Sequence, residues 1–312
     1  MKDAISPYID KVRRICTADA DIRSGEEVYM VSGTKGSGSG TIRSTNADAI
    51  FKYVANLDDE DLGYSDINII LTSLSGGSGS VIAPALIKRI HRRSGGSAQF
   101  IFIGVGHTSS ETFTNNTLNS LKSMVNITTT DKIYLPSLIF DNSSVGEDIV
   151  NATMKYRLTQ LVYLFALPTY NLDPSDRKNF LNGIRTMNAA PGMRLLRLHS
   201  VDEEDTHVNT GEVYHHEEGE IFDALLSIGH ETEDGGRNYI NWSSTVRHVR
   251  QGIFKSQRIT ALAASISSSD AGIASLMKEI DNQATRFQSQ SKHVTSIIRV
   301  DPSDTNEHGM VL

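Results

Sequence analysis

The 312-residue sequence holds a single cysteine, Cys16. One thiol can form no internal disulfide and build no cysteine metal site. No apolar run approaches the roughly 18 residues that a membrane-spanning helix needs. The opening MKDAISPYIDKVRR also lacks the apolar core of a secretion signal. Nor is there an excess of positive charge. Lys and Arg number 30 against 37 Asp and Glu, a net charge of −7. That argues against sequence-independent binding to nucleic acid, which wants a basic surface. Together these absences point to a reducing cytoplasm, with no membrane partner and no direct nucleic-acid contact. With 38% hydrophobic and 21% charged residues, the composition is that of a globular chain. The length allows two domains or one large one. Two nucleotide signatures are missing as well. No lysine follows the last glycine of the main glycine-rich stretch, as a Walker A loop requires, and there is no G-x-G-x-x-G.

What is there is organised around Asp66–Arg93. An apolar run, Ile67–Leu71, leads into Ser73-Leu74-Ser75-Gly76-Gly77-Ser78-Gly79-Ser80, and then into a segment with Ile82, Leu86 and Ile90 four apart. The pattern predicts strand, glycine-rich turn, helix. Glycines let backbone approach a ligand closely. The first turn of the helix adds free N–H groups and partial positive charge, which suit a phosphate. Lys88, Arg89, Arg92 and Arg93 complement the dipole at its other end. The competing reading is a flexible Gly/Ser linker, against which the flanking strand and helix argue.

In chain order, no element is expected in residues 1–27, and Glu27–Ser32 reads as a short strand. A second glycine-rich loop, Gly33–Gly40, precedes a helix near Ala47–Val54. It reads either as a surface turn or as a second phosphate contact, since successive N–H groups form anion nests. Asp58–Asp61 reads as a solvated acidic turn. Gln99–Val105 is a further strand, followed by a polar loop His107–Thr114 and a helix over Thr117–Met124. Lys132–Leu135 reads as a short strand before Pro136. Continuous apolar strands alternating with helices predict an α/β fold with a parallel sheet covered on both faces. Ligands in such folds collect at the carboxyl ends of the strands, where both glycine loops and His107–Thr114 lie. Ser144 and Glu147 form a capping box for a long helix stopping at Pro168. Its apolar later half, Leu161–Leu167, marks it as buried and central.

Beyond it, Asn171-Leu172-Asp173-Pro174-Ser175-Asp176 fits a helix start, with Asp173 as N-cap and Pro174 at the first position. That reading explains both carboxylates without chemistry. Met193–Val201, Glu212–His215, Ile221–Ile228 and Val246–Phe254 read as strands or short elements. Asp270 caps a helix with Ile273, Leu276, Met277, Ile280 and Phe287 on one face, and His293–Val300 reads as a last strand. His215-His216-Glu217-Glu218 has metal-ligand residue types without H-E-x-x-H spacing, and neighbours on a strand face opposite ways.

The ordered set of Ser75–Ser80, the strand-end loop at Asn142, a buried helix and Asn171-Leu172-Asp173-Pro174-Ser175-Asp176 resembles the tubulin/FtsZ superfamily. The first loop is similar to its G-G-x-T-G-S/T-G signature, with Ser at two positions. The N-x-D-x-x-D stretch is similar to the loop that reaches the neighbouring subunit's nucleotide, and Gly36–Gly40 to an earlier glycine loop. The texture of Gly104–Met124 and Asn142–Phe180 most resembles the divergent phage and plasmid tubulins.

The resemblance implies a parallel-sheet GTP-binding domain over residues 1–170 with a central helix at 145–168. It implies a smaller α+β activation and assembly domain over 171–301 and a mobile tail, 302–312. It implies a GTPase assembling head-to-tail into dynamic cytoplasmic filaments that position phage or plasmid DNA, in a bacterial host if phage-encoded. GTP or GDP would be held by Ser75, Gly76, Gly77, Ser78, Gly79 and Ser80, with Gly36 and Gly38 near the γ-phosphate. Asn142 and Asn151 would read the guanine edge, and Glu111 the ribose hydroxyls; Asn151 and Glu111 also read as plain polar positions. Asn171, Asp173 and Asp176 would serve hydrolysis across the subunit boundary, with Mg2+ carried mainly by phosphates and water. One departure stands out. The family opens with a strand, a glycine-rich loop and a helix, and no such stretch precedes Gly33. About 40 residues are lacking by typical element lengths, so the N-terminus is expected to be incomplete or the member degenerate. A non-hydrolysing structural relative, or a monomeric α/β enzyme with a nucleotide cofactor, are the alternatives.

Overall fold

The computed structural model describes residues 12–19, 28–34, 36, 38–143, 146–165, 175, 180–181, 190–202, 223–228, 259–267 and 269–297. Two short strands, β1 (Arg14–Cys16) and β2 (Val28–Met30), pair in parallel as a small sheet of their own. Helix α1 (Ala47–Asn56) and the one-turn α2 (Asp59–Leu62) follow. The main frame then alternates: β3 (Ile67–Ser73), α3 (Gly79–Arg93), β4 (Gln99–Gly106), α4 (Glu111–Thr130), β5 (Tyr134–Asp141) and α5 (Glu147–Phe165). Strands β6 (Gly192–Asp202), β7 (Asp223–Ile228) and β8 (Ile259–Ile266) and helix α6 (Ala271–Ile297) complete the described elements. The six-stranded sheet has the order β3-β4-β5-β6-β8-β7. Strands β3 to β6 are parallel, β8 is antiparallel to β6, and β7 is parallel to β8.

The alternation within β4 explains its unbroken apolar sequence. Phe100 and Phe102 point to one face and Ile101 and Ile103 to the other, and all four are buried. Ile101 and Ile103 join Leu138 and Phe140 of β5 against Met154, Leu158 and Leu161 of α5. Phe100 and Phe102 join Leu121 and Met124 of α4, Ile87 and Ile90 of α3, and Ile273, Leu276 and Ile280 of α6. Burial of each such side chain contributes about 1.5–3 kcal/mol. Covering both faces is what lets the strands run parallel, their carboxyl ends gathered on one side.

Helix α3 contains Pro84. Proline has no N–H to give the carbonyl four residues back, which is that of Ser80. The Arg43 guanidinium donates to that carbonyl at 3.4 Å and to Ser123 Oγ on α4 at 3.1 Å. Helix α5 buries Leu161, Val162 and Leu164 as expected, and with them Thr153, Arg157 and Gln160. Arg157 donates to Gln160 Oε1 and to the Leu198 carbonyl, both at 2.8 Å.

Several expectations are corrected. Strand β5 does not end at Pro136 but runs through it to Asp141. Pro136 pairs in register with Arg194, and the ladder to β4 begins one residue later, at Ser137, so the missing N–H is tolerated. No strand forms at 293–297. Helix α6 continues to Ile297, because an established helix gains one hydrogen bond per added residue and carries the β-branched Val294 and Thr295 along. The acidic turn is helical: Asp58 caps α2 by accepting from the Asp61 N–H at 2.7 Å. Helix α4 is longer than its apolar pattern, starting at Glu111 after the Ser110 cap. Strands β1 and β8 were not anticipated. The strands expected at 212–215 and 246–254, the tail 302–312, the boundary at 170, Ser144 of the capping box and the 215–218 cluster lie outside the described residues.

Candidate functional site

The glycine-rich stretch sits where β3 ends and α3 begins. The Leu74 N–H donates to the Val105 carbonyl at 2.7 Å, tying the loop to β4. The Gly76 N–H donates to Ser73 Oγ at 3.1 Å. No side chain caps the helix. Among the described residues, nothing accepts the N–H groups of Gly77, Ser78, Gly79 and Ser80. Four successive free donors at the positive end of a 15-residue helix form a site for an anion. Ser75 and Ser80 contribute less than their hydroxyls suggest. Ser75 is buried, and its carbonyl accepts from Asn116 Nδ2 at 2.9 Å. Ser80 turns its hydroxyl inward onto the Gly77 carbonyl at 3.2 Å.

The second glycine loop packs directly on the first. Ser39 Oγ lies 2.5 Å from Ser78 Oγ, and Thr17 Oγ1, just past β1, reaches the same hydroxyl. Asn46 Nδ2 donates to the Gly38 carbonyl at 3.0 Å and to Ser39 Oγ at 3.1 Å. Asn116 bridges both loops, donating also to the Thr41 carbonyl at 2.6 Å. A Cβ on Gly77 would stand 2.6 Å from Ser39 Cβ and 3.0 Å from the Ile42 backbone, so the close approach there is between the two loops. Gly36 has a left-handed φ of 70°, and a side chain there would collide with the Asp19 carboxylate. Arg43 lies between α3 and α4, where burial pulls its pKa down.

A third cluster stands at the ends of β4 and β5, where Gly106 and Asp141 are register partners. His107 Nδ1 meets Asn142 Oδ1, and Ser109 Oγ lies 2.6 Å from His107 Nε2. Phe113 lies edge-on to the His107 ring, centroids 5.0 Å apart. The Thr108 N–H donates to Ser143 Oγ at 2.6 Å, and Ser143 leans on the Asp141 carboxylate. From α6, Gln283 Nε2 donates to the Thr108 carbonyl at 2.8 Å. Three loops thus meet at the carboxyl ends of β3, β4 and β5, the position favoured for ligands in parallel sheets.

A scan of protein-family models finds no match to the chain, and a search of curated proteins finds none either. Solved structures do match. The protofilament form of TubZ from bacteriophage PhiKZ covers 100% of this chain and 95% of its own, with a TM-score of 0.66 at 15% identity. The phage tubulin PhuZ in a GDP form covers the same shares, with a TM-score of 0.66 at 17% identity. TubZ of the Clostridium botulinum phage c-st covers 89% of each chain, with a TM-score of 0.55 at 13% identity. The chain has the tubulin/FtsZ fold.

Within this tubulin-like fold the sequence-derived residues divide three ways. Gly36, Gly38, Ser75, Gly76, Gly77, Ser78, Gly79 and Ser80 come together in the two touching loops. Asn142 stands at the end of β5, joined to His107 and Gly106 at the end of β4. Glu111 is the first residue of α4, half-buried, where its charge complements the helix start. Asn151 is exposed, one turn into α5. Asn171, Asp173 and Asp176 lie outside the described residues. Thr17, Asp19, Asn46, His107, Asn116 and Ser143 were not singled out from sequence. Of these, Asn46 precedes a helix, and His107 and Ser143 sit in strand-end loops; the others carried no local signal. Among the described residues no three side chains group as metal ligands, and no helix is long and apolar enough to cross a membrane.

Proposed function

We propose that this tubulin-like chain is a GTPase that assembles head-to-tail into cytoplasmic filaments and hydrolyses GTP at the boundary between subunits. The row of free N–H groups from Gly77 to Ser80 at the start of α3 supports this most, joined to full-chain likeness to a phage TubZ protofilament. The N–H groups bind phosphate oxygens, and the α3 dipole adds to their hold. Gly38 and Ser39 seat the second loop over them. Asn142 reads the purine edge with its amide, Asn151 standing beyond it on α5, and Glu111 faces the ribose. From the neighbouring subunit Asn171, Asp173 and Asp176 orient a water by hydrogen bonds and one of the two carboxylates accepts its proton, since in phosphoryl transfer the protein mainly positions water and stabilises charge. When bound, Mg2+ would be held mainly by phosphates and water and would supply charge neutralisation there. Residues 1–170 thus bind nucleotide and 171–301 activate it. A head-to-tail contact that does not close yields a filament, and DNA of a phage or plasmid is its cargo.

One observation favours a second reading, an assembling protein that does not hydrolyse. The Asp19 carboxylate fills the space against Gly36, and its charge opposes a γ-phosphate there. GTP turnover across a range of protein concentrations, with light scattering on the same samples and Asp176→Ala alongside, separates the two. Turnover per subunit that rises with scattering and vanishes in the variant supports the shared-site GTPase. Scattering without turnover supports the second reading. Turnover that is independent of concentration refutes both.

A further inference from the structure

The geometry points to His107 as the residue that sets base selection, by fixing which end of the Asn142 amide faces the ligand. This rests on the reading of the Asn142 loop as the base-binding side of a nucleotide site. A neutral imidazole has one N–H donor and one acceptor nitrogen, and an amide has one carbonyl and one NH₂. Asn142 turns Oδ1 toward His107 Nδ1. An oxygen can only accept, so Nδ1 carries the hydrogen. In the neutral ring Nε2 is then the acceptor, and the Ser109 hydroxyl, 2.6 Å away, donates to it. Ser109, His107 and Asn142 therefore form one directional chain of hydrogen bonds. Its free end is the Asn142 NH₂, which presents donors only.

That end discriminates between purines. A 6-oxopurine offers acceptors at O6 and N7. Adenine offers a donor at position 6, which would face the amide NH₂ hydrogen to hydrogen. The opposite amide orientation would present Oδ1 and reverse the preference, but it requires His107 to carry its hydrogen on Nε2 instead. Base choice and the His107 tautomer are thus one variable.

The surroundings hold the ring in place. The His107 N–H and carbonyl are both engaged by Thr117 Oγ1, at 3.3 and 3.2 Å. Phe113 packs edge-on against the ring. The adjoining Thr108 is pinned by Ser143 and Gln283, and the Asn142 N–H by the Gly106 carbonyl at 3.1 Å. In this reading His107 does not itself contact the base. It is a positioning residue acting through Asn142.

The test is competition of GTP, ITP and ATP against a fluorescent guanine nucleotide, on the full chain at concentrations below assembly. ITP keeps O6 and lacks the 2-amino group. The wild type is expected to bind GTP and ITP alike and ATP more weakly. His107→Ala frees the amide to rotate and narrows the GTP-to-ATP ratio by about tenfold. His107→Asn, whose amide NH₂ lies near the position of Nδ1–H, restores it. Asn142→Asp, with acceptors only, lowers GTP affinity more than ATP affinity. A ratio unchanged in His107→Ala, or one that His107→Asn fails to restore, overturns the assignment while leaving the GTPase reading intact. A wild-type chain that binds no purine nucleotide overturns both.

Discussion

A methyl group on Gly77 is the sharpest probe of how the two glycine loops fit. In Gly77→Ala the new Cβ would stand 2.6 Å from Ser39 Cβ and 3.0 Å from both N and O of Ile42. Carbon atoms in comfortable contact are about 3.5–4.0 Å apart, so the loop carrying Ser39 must retreat by roughly 1 Å. It is held by the Asn116 bond to Thr41 at 2.6 Å, the Asn46 bond to Ser39 at 3.1 Å and the Ile42-to-Ser39 turn at 2.9 Å. Overpacking of this kind costs about 1–3 kcal/mol, partly offset by about 0.4–1 kcal/mol from a stiffer unfolded chain. Gly76→Ala is the matched control, because its Cβ meets only Ser73, at 3.4 and 3.6 Å. That variant is expected to gain a few tenths to about 1 kcal/mol. Urea unfolding followed by circular dichroism should therefore separate the two variants by about 2 kcal/mol, with Gly77→Ala the weaker. Nucleotide affinity should fall with it, since the retreating loop borders the free N–H groups. Equal stability of the two alanine variants would refute the packing argument.

Asn116→Ala removes donors from the Thr41 and Ser75 carbonyls together, and should cost about 2 kcal/mol in urea unfolding; a loss below half that would mean the loops hold without the bridge. Gln283→Ala frees the Thr108 carbonyl, and should weaken nucleotide binding about fivefold in a fluorescence titration, although the proposed site draws no ligand contact from α6. Asp131 pairs with Arg92 at 3.0 Å and Lys88 at 3.4 Å. Burial pushes its carboxyl upward, but the Arg92 hydrogen bond and the Lys88 and Arg92 charges outweigh this and hold it below the usual range. A lowered pKa gives stability that is complete above the unfolded value near 3.9 and lost as the pH falls through the folded value. Asp131→Asn should therefore cost up to about 1 kcal/mol at pH 7, and wild type and variant should converge as the pH drops below about 4; a gap that persists in acid would refute the ion-pair account.

The strand–loop–helix at Ile67–Arg93 was legible because its signals are local: an apolar run, a glycine cluster and a four-residue repeat. The same holds for β4, for the central helix and for the start of α6 at Asp270. The pairing of His107 with Asn142 was not legible. These residues are 35 apart in sequence, and only the parallel register of β4 and β5 brings them together. Asn116 was hidden in the same way, its partners lying 75 and 41 residues away. Strand β8 escaped because ITALAASI is rich in alanine, which favours helix as readily as strand. At 293–297 local β propensity misled, since continuation of α6 overrode it. Burial also sets the direction of a serine that the sequence leaves open: the Ser80 hydroxyl turns inward onto the Gly77 carbonyl.

Strand β6 belongs to two ladders at once. Gly192–Leu195 run beside Tyr134–Ser137, and from Leu196 onward the same strand runs against β8. No joint separates the half of the sheet that carries the glycine loops from the half that ends in β7. A torque applied at one end would be carried across Leu195 and Leu196 by unbroken backbone. The two halves can change their mutual angle only by twisting a continuous ribbon, a small, springlike rotation in place of the free swing of a hinge.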